Sequence, residues 1–93
     1  MIIQALTIRL YAPFCHSLKE KRMIVQSIVK RVRNKFNVSA SEVEDHDLHQ
    51  SIVIGVAVVS TTVSHANTIL NEVLKLVEDS TEAEITDFYL EAR

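Results

Sequence analysis

The hydrophobic period of this 93-residue chain changes from two to about 3.6 and back again, and it does so twice. The pattern predicts strands at 2–11, 38–43, 52–59 and 83–91, and helices at 18–36 and 63–79. Each helix is long enough to cross over between two strands, so the element order is βαββαβ. This order predicts a ferredoxin-like sandwich, an α+β fold in which a four-stranded antiparallel sheet carries both helices on one face. We expect residues 1–93 to form one such domain.

The topology places the strands in the spatial order 4-1-3-2, so the third strand is internal. Its composition agrees, because residues 52–59 are apolar on both faces of the strand. Gly55 within it indicates a bend or a close approach of another chain segment. The weak alternation of the second strand is typical of an edge. The predicted core includes Leu6, Ile8, Val25, Val29, Val32, Val56, Leu70, Val73 and Val77.

The first helix carries most of the positive charge of the protein. Seven of the ten basic residues lie between positions 19 and 35, where Glu20 is the one acidic residue, although the whole chain has a net charge of −2. Ser17 is predicted to be the N-cap, with Glu20 completing a capping box. On a helical wheel, one flank of the apolar stripe carries Lys19, Arg22, Lys30 and Arg33; the opposite flank carries Arg31 and Lys35, and Lys21 falls near its edge.

This segregated charge predicts contact with phosphates, and RNA is the favoured partner, through Lys19, Arg22, Lys30 and Arg33. The third strand lacks the aromatic RNP1 pattern with which related sheets stack bases, so the helix would make the contact. The alternative interpretation is a solvated helix face that keeps a small domain soluble. The net acidity supports that alternative, because it weakens nonspecific affinity for polyanions.

The sequence offers little for catalysis or for metal binding. Cys15 and His16 precede a helix N-terminus, where a thiol pKa can fall, but their adjacency does not arrange the base that a nucleophile needs. The spacing of His46 and His49 is compatible with zinc or nickel, yet a polar turn explains the composition without a metal. We therefore expect a protein that is not an enzyme and that has no cofactor.

The patterns of apolar and cysteine residues bear on location and assembly. The longest apolar run, residues 52–59, is too short to span a bilayer, and no basic residue precedes the apolar N-terminus as in a signal peptide. A single cysteine fits a reducing compartment, so we expect a cytoplasmic protein without a membrane partner. Because the helices cover one face of the sheet, we also expect a homodimer that covers the helix-free face.

Three segments resemble a known family: HSLKEKR at 16–22, FNVSASEV at 36–43 and IGVAVVS at 54–60. They are similar to the YlxP-like family of small bacterial proteins, over nearly the whole chain. That family is a domain of unknown function with a ferredoxin-like fold, and it offers no catalytic residues to transfer. Its genes often neighbour those of a translation initiation factor and a ribosome maturation factor, so the resemblance implies an RNA- or ribosome-associated role. Where the family typically has tryptophan, this chain has His49.

The alternative function is a self-associating structural or ligand-binding module with no role in nucleic-acid binding. Salt dependence separates the two, because phosphate contacts weaken steeply as ionic strength rises whereas apolar association does not.

Overall fold

The computed structural model describes residues 1–93, and its elements follow the predicted order. They are β1 (Ile2–Tyr11), α1 (Leu18–Lys35), β2 (Ser39–Glu44), β3 (Ser51–Ser60), α2 (Val63–Ser80) and β4 (Glu84–Ala92). The strands form one antiparallel sheet in the order β2-β3-β1-β4. The structure thereby confirms the ferredoxin-like α+β prediction, with β3 internal and β2 at an edge.

Side-chain caps fix where both helices begin. The Ser17 hydroxyl accepts a hydrogen bond from the Glu20 N–H at 3.1 Å, and the Thr62 hydroxyl accepts one from the His65 N–H at 3.1 Å. The Glu20 carboxylate reaches back to the His16 N–H at 2.9 Å, one residue earlier than in a standard capping box. These contacts satisfy amide groups that have no partner within the helix.

The two helices pack on the same face of the sheet and enclose one apolar cluster. Even-numbered residues of the central strands face this cluster, as the cross-strand pair of Leu6 and Val56 shows. All nine predicted core residues are buried. Because each contributes aliphatic surface removed from water, the cluster is the main source of the stability of the fold.

The opposite side of the sheet, the helix-free face, has small residues at its centre, among them Gly55 and Ala57. Val53 lies on this face, outside the main core cluster, yet it has no exposed surface. The strand register places it between Arg9 and Glu44, whose side chains form an ion pair at 2.9 Å. We infer that this pair shields Val53. Burial of Val53 therefore needs no second protein chain.

Gly55 marks a close approach rather than a bend. A Cβ atom at this position would lie 2.8 Å from the Cγ1 atom of Val43, which is closer than ordinary van der Waals contact. Val43 falls where the register between β2 and β3 shifts, between Glu42 and Glu44. The missing side chain of Gly55 thus leaves room for Val43 to fold over the helix-free face.

Candidate nucleic-acid interface

The four residues predicted to bind phosphates lie on one flank of α1, which we call the basic flank: Lys19, Arg22, Lys30 and Arg33. All four side chains are exposed. The rise of an α-helix places Arg22 and Arg33 about 16 Å apart along the axis. The structure contains three ion pairs, and none of them involves the basic flank. Four cationic groups therefore face solvent without a carboxylate partner.

The basic flank borders the edge strand β2. The Arg33 guanidinium donates to the Ala40 carbonyl through Nη2 at 2.5 Å, and this carbonyl belongs to the outer side of the sheet. Lys30 and Arg33 line a cleft of about 420 Å³ between α1 and β2, together with Ser41. Arg33 thus supports β2 as well as contributing charge. Lys19, Arg22 and Lys30 make no side-chain hydrogen bond to the rest of the chain and are available to a ligand.

Lys21 is buried, and the prediction that it lies near the edge of the flank with Arg31 and Lys35 is wrong. Its side chain has no exposed surface. Its ammonium group donates to three backbone carbonyls, those of Asp45 at 2.5 Å, Leu48 at 2.6 Å and Ser51 at 2.9 Å. The carbonyls of Asp45 and Leu48 lie in the connection between β2 and β3, and that of Ser51 belongs to the first residue of β3, so Lys21 fixes this connection against the start of α1.

A carboxylate completes the surroundings of the Lys21 ammonium group. Glu42 Oε2 lies 2.9 Å from Lys21 Nζ, and the Glu42 side chain is 15% exposed. An ammonium group has three N–H donors, and the three carbonyls already occupy them. Glu42 therefore contributes charge attraction without accepting a hydrogen bond from Lys21. A buried charge is tolerated only with such partners, so this arrangement is structural.

The spacing of apolar residues in α1 indicates that Lys21 lies on the buried face of the helix. Lys21 precedes Val25 by four residues and Ile28 by seven, and both of these residues are buried. Residues at these intervals share one face of a helix, so Lys21 belongs to the apolar stripe itself. A lysine within such a stripe indicates either a gap in the core or a buried ammonium group with polar partners. The structure shows the second.

The acidic residues of β2 do not neutralise the basic flank, because they have other partners. Glu42 pairs with Lys21, and Glu44 pairs with Arg9 on the far side of the sheet. Charges already paired in this way contribute less to the potential around neighbouring groups. The cations beside β2 therefore keep a positive local potential although the protein is acidic as a whole.

The loops beside the start of α1 are held by polar contacts, and the histidines lie at their surface. The Gln50 amide donates to the carbonyls of Pro13 at 3.1 Å and Cys15 at 3.3 Å, which joins the two loops. His46 and His49 are both exposed. The structure contains no group of three or more His, Cys, Asp or Glu side chains placed to hold a metal ion.

Cys15 has no exposed surface. Burial is the main cause that raises the pKa of its thiol, and the nearby Glu20 carboxylate adds to the increase, while Lys21 opposes it. The pKa of an activated nucleophilic cysteine moves in the opposite direction. Cys15 therefore behaves as a small apolar residue of the loop before α1.

Comparison with known proteins supplies the family. Residues 3–90 match the family model described as "Protein of unknown function (DUF503)". The chain belongs to this family. The chain is also 41% identical, over 70 residues, to the uncharacterized protein YlxP of Bacillus subtilis (strain 168), an alignment that covers 75% of this chain and 76% of that protein.

The fold of this DUF503 protein is similar to that of a de novo designed protein with a ferredoxin fold, solved by NMR in solution. The TM-score is 0.67, with 12% sequence identity, and the match covers 100% of this chain and 86% of the designed one. At this identity the likeness concerns the fold alone. Neither helix of this DUF503 chain is long and apolar enough to cross a membrane.

Proposed function

We propose that this protein is a non-catalytic, cytoplasmic accessory factor that associates with RNA or the ribosome through the basic flank of α1. The observation that carries the proposal is the set of exposed cations without carboxylate partners beside a strand whose acids are already paired. An RNA phosphate can approach these cations without displacing an internal ion pair. The raised pKa of Cys15 supports a binding role over thiol chemistry.

Phosphate contact by a few cations gives binding with recognisable physical properties. Each neutralised phosphate releases counterions, so the logarithm of the affinity falls linearly with the logarithm of salt concentration, with a slope of about −0.7 per contact for single strands. The basic flank reaches phosphates rather than base edges, so we expect little dependence on RNA sequence. Changing the charge of single basic-flank residues should therefore alter the affinity for RNA much more than changing the shape of the helix surface.

The test reverses charge on one flank of α1 and uses the other flank as its control. The variant Arg22→Glu/Lys30→Glu changes two exposed residues without hydrogen-bond partners, and it leaves Arg33 on the Ala40 carbonyl. The control Arg31→Glu/Lys35→Glu makes the same charge change on the opposite flank. The probe is a labelled single-stranded RNA of mixed sequence, titrated at several salt concentrations with nuclease-treated protein.

We expect the basic-flank variant to lose at least about 100-fold in affinity at low salt, and its salt slope to shrink by about 1.4. The control should lose far less, because its positions do not face the bound phosphates. Circular dichroism checks that both variants fold. Equal losses in the two folded variants would show that binding depends on overall charge and not on the basic flank. If the unmodified protein does not bind RNA, the interpretation of α1 as a solvated helix face is favoured.

A second candidate function is self-association through the helix-free face. A depression of about 480 Å³ lies there, bordered by the side chains of Val43 and Tyr89, which are 48% and 43% exposed. A second copy packed on this face would cover both. Ala57→Glu, at the centre of the face, should then abolish dimers in sedimentation velocity without affecting RNA binding. Dimers that persist in this variant would exclude the face.

A further inference from the structure

The two edges of the sheet differ in how their outward backbone groups are covered. β2 has six residues, its register shifts near Glu42, and the Arg33 guanidinium covers the Ala40 carbonyl. Short, irregular and charge-covered edges resist pairing with another strand. β4 has nine residues, and its one register shift lies at its start, opposite the step from Arg9 to Leu10 in β1. The remainder of β4 is a regular, open edge.

The outward backbone groups of β4 can be assigned from its pairing with β1. The Arg93 N–H donates to the Ile3 carbonyl at 2.8 Å, so the odd-numbered residues of this segment point their backbone groups toward β1. The groups of Phe88, Leu90 and Ala92 therefore point away from the sheet. Those of Leu90 and Ala92 have no side-chain partner. They are free to pair with another strand.

The side chains along the same edge are unusually apolar for a surface. Phe88, Tyr89 and Leu90 are consecutive and are 48%, 43% and 36% exposed. Phe88 and Leu90 share the helix side of the sheet with their partners in β1, whereas Tyr89 lies on the helix-free face. A long edge strand with exposed apolar side chains on both faces is a pairing site.

We propose that β4 is the interface to a second copy of this chain, paired antiparallel about a twofold axis at Leu90. Leu90 then faces the partner's Leu90, and Phe88 faces the partner's Ala92. These are the residues whose backbone groups point outward, so each facing pair can exchange N–H···O=C hydrogen bonds. The two sheets become one continuous sheet, and Phe88 and Leu90 lose part of their exposure to water.

The charges of β4 select this register and this partner. With the axis at Leu90, Asp87 lies opposite the partner's Arg93, and symmetry provides the pair twice. An axis at Tyr89 would place Asp87 opposite the partner's Glu91, which repels it. An axis at Phe88 would give Asp87 no charged partner. The strand is therefore complementary to itself in the register that also aligns its outward groups.

The expected dimer is weak and reversible, because one strand pair lies at the low end of interface sizes, below about 1,200 Å² of buried surface. It is also independent of the RNA proposal, since β4 and the basic flank beside β2 are at opposite edges of the sheet. In the isolated chain the Asp87 carboxylate accepts a hydrogen bond from the Phe88 N–H at 2.9 Å. On dimerisation this carboxylate would turn to the partner's Arg93, and Arg93, which in the isolated chain pairs with the exposed Glu91 at 2.6 Å, would exchange that contact for the one across the interface.

The test exchanges the charges of the proposed pair. Asp87→Lys places two positive groups opposite each other in a homodimer, and Arg93→Glu places two negative groups there. An equimolar mixture of the two variants restores opposite charges at both positions. In sedimentation velocity with nuclease-treated full chain, we expect each variant to dimerise about tenfold more weakly than the unmodified protein, and the mixture to recover.

Two further variants separate this edge from the rest of the surface. Leu90→Pro removes an outward N–H without removing a hydrogen bond to β1, so it should abolish the dimer while circular dichroism remains that of the folded chain. Ala57→Glu, on the helix-free face, should leave the dimer intact. The proposal is overturned if the unmodified protein stays monomeric at high micromolar concentration, if the mixture of charge variants stays as weak as its components, or if Ala57→Glu alone abolishes the dimer.

Discussion

The two β-α-β halves of this protein attach a helix to a sheet with different chemistry. The buried residues of α2 are Ala66, Leu70, Val73 and Val77, so this helix is held mainly by aliphatic packing. The buried residues of α1 include Lys21 in the middle of the apolar stripe. The ammonium group of Lys21 organises the connection after β2, and Arg33 supports the outer side of β2. Nothing comparable joins α2 to β4.

This difference in how the two helices are attached determines which edge of the sheet can pair with another strand. In the first half, long cationic side chains extend from α1 to backbone carbonyls of β2 and of the connection that follows it, so that edge is occupied from within. In the second half, α2 is attached mainly by aliphatic groups, with one polar contact in which Gln4 of β1 donates to the Asn67 side-chain carbonyl at 2.7 Å, and the outward backbone groups of β4 remain open. The same topology thus produces one covered edge with free cations beside it and one bare apolar edge.

The largest effect is expected when the buried ammonium group of Lys21, which anchors the first half, is removed. Lys21→Met keeps the length and apolar stem of the side chain but leaves three carbonyls and the Glu42 carboxylate without their partner. We expect a loss of about 3–5 kcal/mol in the free energy of unfolding, measured by urea denaturation. Such a loss is a large part of the roughly 5–15 kcal/mol available to a small domain.

The matched control for this prediction is Lys75→Met, the same substitution at an exposed position of α2. It should change the free energy of unfolding by less than about 0.5 kcal/mol. Adding Glu42→Gln to Lys21→Met should recover part of the loss, because it removes the unpaired charge. If Lys21→Met and Lys75→Met have similar stability, the buried ammonium group does not anchor the loop.

The corresponding test of the second half removes aliphatic surface from α2. Val73 has no exposed surface, and Val73→Ala deletes two methyl groups that the rigid sheet cannot fully replace. We expect a loss of about 2–3 kcal/mol by urea denaturation, from transfer and cavity contributions together. Val63→Ala, in the same helix but 47% exposed, should cost less than about 0.5 kcal/mol. Equal effects would contradict the aliphatic attachment of α2.

The sequence predicted the second half better than the first, for a physical reason. Apolar periodicity is local information, and it was enough to predict the topology, the strand order and all nine core residues. An aliphatic side chain has only to lie on the core-facing side of its own helix or strand. The partners of Lys21 are backbone carbonyls of a loop, which have no side-chain signature in the sequence. The Arg9–Glu44 pair across Val53 likewise depends on the register of three strands, which periodicity does not fix.

The candidate site, like the fold, could be predicted only in part from the sequence. The basic flank could be found on a helical wheel because it is a property of one helix. That Arg33 also supports β2, and that the β2 carboxylates are paired elsewhere, depend on how α1 docks on the sheet. The self-complementary charges of β4 follow from its sequence, but they become meaningful only once β4 is known to be an open edge.

The smallest effect is expected for Arg33, whose guanidinium covers the outer edge of β2. Arg33→Ala removes the donor to the Ala40 carbonyl, but the Arg33 side chain is exposed and its removal lets water reach this carbonyl, so we expect a loss of only about 0.5–1 kcal/mol. The local consequence should be clearer, because α1 no longer supports the strand from outside. Hydrogen exchange of β2 amides should therefore become several-fold faster while exchange in β4 stays unchanged. Arg31→Ala, an equal loss of charge on the opposite flank, should alter neither edge. If both variants speed exchange in β2 equally, helix charge rather than the contact with Ala40 sets the stability of this edge.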